Sequence, residues 1–261
     1  MYYRLKDQYL LRGWKKLPYA ILDKETTTVG FMNGMQFGAV QICNGTLRAD
    51  SPLIFPAQRN FIEKLVEQGI IEKNKQLMSL KAEQDYKTYP ARYVHNVHWS
   101  VTGKCNCKCR HCYMSAPHAK NGELSKDDCI RIIDQIAECG IQSVSLTGGE
   151  CLVRKDFLEL VDRILFHGIR LSQIYSNGLL VNEKLLSQLE ERGIHPEFNM
   201  SFDGIGEQDW MRGIPGTEEA VIKAFKLCKS KGFPYAFIKK IHILFETASI
   251  CLLLLVAALL K

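Results

Sequence analysis

From residue 97 onward the chain alternates a short apolar run with a capped amphipathic segment, and this alternation narrows the fold more than any other feature. Residues 97–102, 141–146, 170–175 and 197–202 read as strands, and 236–245 as a fifth. Between them Ser125 opens a helix with Ile130, Ile133, Ile136 and Ala137 on one face, stopping at Gly140. Asp156 caps the next, with Leu160, Val161, Ile164 and Leu165 inward and Gly168 at its end. Asn182 opens a third, carrying Leu185, Leu186 and Leu189 as far as Gly193. Thr217 begins a fourth, with Val221, Ala224, Phe225 and Cys228, closed by Gly232. Such repetition predicts an α/β fold of parallel strands joined by right-handed crossovers. In barrels of this kind the loops at the C-terminal ends of the strands build the active site.

The first of those loops holds an unusual cluster. Cys105, Cys109 and Cys112 stand in the stretch Cys-Asn-Cys-Lys-Cys-Arg-His-Cys, spaced Cys-x3-Cys-x2-Cys. A closed tetrathiolate site needs four cysteines, whereas three can hold a four-iron cluster and leave one iron open to a ligand. A zinc site would need a second Cys pair or a His pair, and Cys129, Cys139 and Cys151 are scattered singly. The ten cysteines in 261 residues do not follow the spacing of a secreted disulfide scaffold and no signal peptide precedes them, so a reducing cytoplasm fits better. Cys107 falls outside the register and reads as a bystander in the loop.

Three further motifs follow at successive strand ends: Gly148-Gly149-Glu150, then Ser176-Asn177-Gly178, then Ser201-Phe202-Asp203-Gly204. With the cysteines they give residues 95–235 a resemblance to the radical S-adenosylmethionine (SAM) superfamily. The resemblance implies a partial (β/α)6 TIM-like barrel over residues 95–247, with Cys105, Cys109 and Cys112 holding a [4Fe-4S] cluster. It implies that SAM chelates the open iron, and that an electron donor such as flavodoxin or ferredoxin reduces the cluster to generate a 5′-deoxyadenosyl radical. By the same resemblance Gly148 and Gly149 admit close approach of the methionine amino group and Glu150 neutralises its surroundings. Cys151 replaces the Pro that usually follows. Ser176, Asn177, Ser201 and Asp203 are expected at the ribose and methionine parts, His111 near the adenine, and Arg212 at the SAM carboxylate. His95, His98, His118 and His167 match no motif, and their default role is structural.

Residues 1–80 read as a separate small module. Residues 17–22 form a short strand, 29–37 read as turns and strand, and 39–45 give an apolar run stopped by Asn-Gly. From Pro56, the apolar Phe61, Ile62, Leu65 and Val66 recur at helical spacing until Gly69, and 70–71 restart an extended segment. The region resembles the winged-helix-like recognition elements of ribosomal-peptide maturases, which implies a leader peptide bound as an added strand. A scaffold without a binding role is the alternative. Residues 81–94, polar and aperiodic, are expected to be a linker.

The net charge of +6 is concentrated in the first 95 residues, where fourteen Lys or Arg face nine Asp or Glu. No dense basic run is present, so nucleic-acid binding has little behind it and an acidic peptide suits the charge equally. Residues 248–260 are uninterruptedly apolar, yet thirteen residues fall short of the roughly 20 a bilayer needs. The expectation is a C-terminally truncated or frame-shifted member in which 248–261 are foreign to the family. Two functional readings follow: a radical SAM enzyme acting on a ribosomally made peptide, or an inactive fragment that keeps only leader binding.

Overall fold

The computed structural model describes residues 1–112, 114, 116 and 122–238. The chain opens with strands β1 (Tyr2–Leu5), β2 (Tyr9–Lys15), β3 (Leu17–Asp23) and β4 (Val29–Phe31), then helix α1 (Gly34–Ile42), β5 (Asn44–Arg48), helix α2 (Pro56–Glu67), β6 (Ile71–Asn74) and β7 (Lys87–Arg92). They make two small sheets, ordered β5-β1-β6 and β4-β3-β2-β7, over a core that includes Tyr3, Leu5, Phe37, Val40, Ile62 and Ile71. Helix α2 forms as its periodicity predicts, with Pro56 in the first turn and Ile62 and Leu65 buried.

The strand read from residue 29 is present as β4, but helix α1 replaces the turns read after it and the apolar run read over 39–45. Its start is fixed by a reciprocal cap: Asn33 Oδ1 accepts the Gln36 N–H at 2.9 Å, and Gln36 Oε1 accepts the Asn33 N–H at 3.0 Å. This cap, together with burial of Phe37, Ala39 and Val40, outweighs the Gly and Asn punctuation. Residues 81–94, expected as a linker, are also built into the fold. Gln84 is fully buried and its Nε2 donates to the carbonyls of Leu5, Lys6 and Tyr9. β7 pairs in parallel with β2, bringing Tyr89 and Tyr93 onto the Trp14 ring at centroid distances of 5.6 and 4.9 Å. Aromatic packing holds this segment, and aromatic packing has no period to read.

Then come β8 (Asn96–Ser100), α3 (Lys126–Glu138), β9 (Ser143–Thr147), α4 (Phe157–Phe166), β10 (Arg170–Ser176), α5 (Glu183–Glu190), β11 (Glu197–Ser201), the short α6 (Gln208–Arg212), α7 (Thr217–Ser230) and β12 (Tyr235–Ile238). The five strands form one parallel sheet in sequential order, with Val97 opposite Val144, Ile174 opposite Phe198 and Met200 opposite Phe237. Leu146, Ile174, Phe198 and Met200 belong to the same buried core as Ile133, Leu160, Ile164, Leu186 and Val221 of the helices. Each such side chain contributes roughly 1.5–3 kcal/mol by burial. The alternate residues carry a polar network, in which Asn96 Nδ2 donates to Ser145 Oγ, Tyr175 OH to Gln173 Oε1 and Gln173 Nε2 to Glu197 Oε2.

Ser125 and Asn182 cap α3 and α5 through the N–H groups of Asp128 and Leu185. Asp156 sits at the cap position of α4 but makes no cap bond, because Arg154 takes both its oxygens at 2.9 and 2.7 Å. The remainder of the expected barrel beyond residue 238, with the 248–261 tail, lies outside the described residues, as does His118. Among the described residues no helix is long and apolar enough to cross a membrane.

Candidate functional site

The cysteine loop follows β8 and is fastened by the ends of the next three strands. From the turn after β9, the Gly149 N–H reaches the Thr102 carbonyl at 2.9 Å and the Glu150 N–H reaches that of Lys104 at 2.8 Å. The approach leaves no room for a side chain: a Cβ on Gly148 would lie 2.4 Å from Thr102 O, and one on Gly149 2.3 Å from Lys104 O. The two glycines are thus required by the loop's own backbone, a use additional to the ligand approach expected from the sequence. After β10, Asn177 Nδ2 donates to Asn106 Oδ1 at 2.6 Å and lies 3.8 Å from Cys105 Sγ. After β11, α6 accepts the N–H groups of Lys108 and Arg110 on the carbonyls of Arg212 and Met211, and the Arg110 guanidinium stacks on Trp210 at 4.5 Å.

These loops enclose a cavity of about 320 Å³ lined by Cys105, Cys107, Cys109 and Cys112. The same cavity is lined by His111, Gly148, Gly149, Ser176, Asn177, Ser201 and Arg212. Two expected contacts do not line it. Glu150 is fully buried, its carboxylate accepting from Leu152 N–H, Asn177 N–H and Ser176 Oγ, so it braces the turn after β9 against the end of β10. Burial pushes its carboxyl up to about 7, against the pull of those hydrogen bonds. Asp203 is buried and its Oδ2 lies 2.8 Å from Arg212 Nη2. Sequence reasoning missed Tyr175 and Asn199, which also line the cavity. The signal was available in the strand period, since Asn199 is two residues before Ser201 and shares its face.

The thiols are not alike. Hydrogen bonding from Cys107 brings Cys105 down to about 7, against burial. The same thiol brings Cys109 down to about 6, with the Arg212 charge assisting. Cys107, 1% exposed, is pushed upward by those same bonds. Among the described residues no three His, Cys, Asp or Glu side chains converge on a single metal-ion position. A cube bound corner by corner asks instead for thiolates spread around it. The donor set fits such a cube, and Asn199 Nδ2, buried without a hydrogen-bond partner, fits a polar ligand in the same cavity.

The Radical SAM superfamily profile matches residues 99–248, more than half of the chain. The Fe-coproporphyrin III synthase of Methanosarcina barkeri (strain Fusaro / DSM 804) is 34% identical over 136 residues, covering 51% of this chain and 34% of that protein. The PqqA peptide cyclase of Granulibacter bethesdensis (strain ATCC BAA-1260 / CGDNIH1) is 30% identical over 145 residues, covering 54% and 38%. Among solved structures, Streptococcus suis SuiB bound to its precursor peptide SuiA superposes with a TM-score of 0.61 at 16% identity, covering 97% of this chain and 60% of that one. The matched segments span 34% and 38% of the two curated relatives and 60% of SuiB, less than two thirds in each case.

Proposed function

The chain belongs to the radical SAM superfamily, and from that premise we propose that it modifies a ribosomally synthesised peptide, with the cavity between the cysteine loop and the strand ends as its reaction site. The carrying observation is that Cys105, Cys109 and Cys112 share one cavity with the glycine turn and with polar groups from two further strand ends. When bound, the [4Fe-4S] cluster and SAM supply reductive cleavage of the sulfonium and a 5′-deoxyadenosyl radical. Cys105, Cys109 and Cys112 hold the cluster. Ser176, Asn177 and Ser201 offer hydrogen bonds to the ribose and methionine groups, and His111 stands for the adenine side. Arg212 offers its charge to the SAM carboxylate, while Glu150 and Asp203 act behind this layer by holding Asn177 and Arg212 in place.

In this reading residues 1–80, with the 81–94 segment packed onto them through Gln84 and β7, hold the leader of the peptide, and 95–247 carry the reaction. Strand β4 supports the first assignment: it pairs only with β3 among the described strands, leaving an edge beside the exposed side chains of Phe31 and Met35. An extended peptide can add to such an edge. SuiB, crystallised with its precursor peptide, superposes over 97% of this chain, and with the name of the PqqA cyclase this supports a peptide, although the Fe-coproporphyrin III synthase is named for a small molecule. An external one-electron donor of the flavodoxin or ferredoxin kind and a reducing cytoplasm complete the proposal.

Anaerobic reconstitution tests it. With dithionite, SAM and short peptides translated from any reading frames flanking its gene, the chain should release 5′-deoxyadenosine and change the mass of one peptide. Turnover of SAM with no peptide altered or bound would refute peptide modification, and a chain that binds peptide but takes no iron would be a binding fragment.

A further inference from the structure

The Arg212–Asp203 pair reaches past any ligand in the cavity to the cluster loop itself. Arg212 Nη1 lies 3.7 Å from Cys109 Sγ, and its Nη2 lies 2.8 Å from Asp203 Oδ2. Both side chains are almost wholly buried, at 8% and 4% exposure. Neither end is free to swing. The Arg212 carbonyl accepts the Lys108 N–H, and a Cβ on Gly213 would lie 2.5 Å from Lys108 O, so α6 is pressed against the cysteine loop. The Asp203 end is fixed by Gln208, whose Oε1 accepts the Asp203 N–H at 2.7 Å and whose Nε2 donates to Ser201 O at 3.1 Å.

We propose that Arg212 is a positioning residue that sets the reduction potential of the cluster through Cys109, and that Asp203 moderates its charge. The inference rests on the cluster assignment above. A hydrogen bond and a positive charge at a ligating sulfur draw electron density from it and favour the reduced, more negative cluster, while a nearby carboxylate disfavours it. In a buried setting both effects are weakly screened. A pair held at fixed distances from one sulfur therefore fixes how easily the cluster accepts an electron. The arrangement singles out one of the three cysteines, because Cys105 is approached instead by the neutral amide of Asn177.

The test is a redox titration of the reconstituted full-length chain without SAM, followed by electron paramagnetic resonance, with iron content measured alongside. Arg212→Gln should move the midpoint to more negative potential, Asp203→Asn to more positive potential, and the double variant should fall between them. Arg212→Lys, which keeps the charge but not the planar fork, should shift less than Arg212→Gln. If Arg212→Gln takes up no iron, Asp203→Asn and Arg212→Lys still decide the sign. Loaded variants that share the wild-type midpoint, differing only in iron occupancy, would mean the pair merely supports the loop and would overturn this inference alone. A wild-type chain that takes no iron would overturn it together with the proposed function.

Discussion

The N-terminal unit and the parallel α/β unit use apolar residues in the same way and polar residues in opposite ways. In the first, Tyr3, Leu5, Ile62 and Ile71 close a core, and two buried polar side chains are spent on neighbouring backbone: Arg12 on the carbonyls of Leu11, Glu83 and Asp85, and Gln84 on those of Leu5, Lys6 and Tyr9. In the second, the helix side of the sheet is equally apolar, yet Ser176, Asn177, Asn199 and Arg212 line a cavity. The difference teaches that buried polar groups in the first unit mostly tie its own segments together, whereas those at the strand ends of the second face a shared cavity.

The sharpest way to break this contrast is a pair of core deletions. Leu160→Ala and Ile62→Ala each remove a fully buried side chain and should each cost about 2–5 kcal/mol. Leu160→Ala should also lower iron uptake, whereas Ile62→Ala should leave it intact; equal loss of iron would show one cooperative unit. Thermal melts with iron analysis read both.

Next in size is the pH response of the brace behind the cavity. Glu150 has a folded pKa raised to about 7 from an ordinary 4.5 by burial, so the stability it allows is fully present below about pH 4.5 and is lost as pH rises through 7. The full span is about 3 kcal/mol. Glu150→Gln should flatten denaturant-derived stability over that window; an unchanged slope would mean the carboxylate is satisfied while charged.

On the other unit, Phe31→Asp places a charge on the open edge of β4 and should weaken leader-peptide binding about tenfold, near 1.4 kcal/mol, without changing iron content. Unchanged affinity in fluorescence anisotropy would move the docking site elsewhere. The smallest effect is expected at Asp134, whose carboxylate meets Arg163 and His167 at a partly exposed position. Asp134→Asn should change stability by less than about 1 kcal/mol, and a larger loss in melting experiments would give that surface a structural weight the geometry does not.

The same contrast explains what could be read from the sequence. The strands and helices of the second unit have periods, and its motifs sit at fixed places relative to them, so Cys105, Gly149, Asn177 and Ser201 could be assigned to one end of the sheet before any coordinates. What the spacing hid was tertiary. Glu150 and Asp203 turn away from the cavity, because a carboxylate there is taken by the neighbouring Asn177 N–H or by Arg212. In the first unit α1 depended on the Asn33–Gln36 cap, and β7 on Tyr89 and Tyr93 finding Trp14 from 75 or more residues away along the chain. Neither leaves a repeat to recognise.

The central claim is that three cysteines, and not the fourth beside them, hold an iron cluster. Single Cys→Ala variants at 105, 107, 109 and 112, reconstituted without oxygen and analysed for iron and by electron paramagnetic resonance, test it directly. The account predicts about four irons per chain in the wild type and in Cys107→Ala, with loss in each of the other three. A Cys107→Ala chain without a cluster, or zinc in place of iron in the wild type, would contradict it.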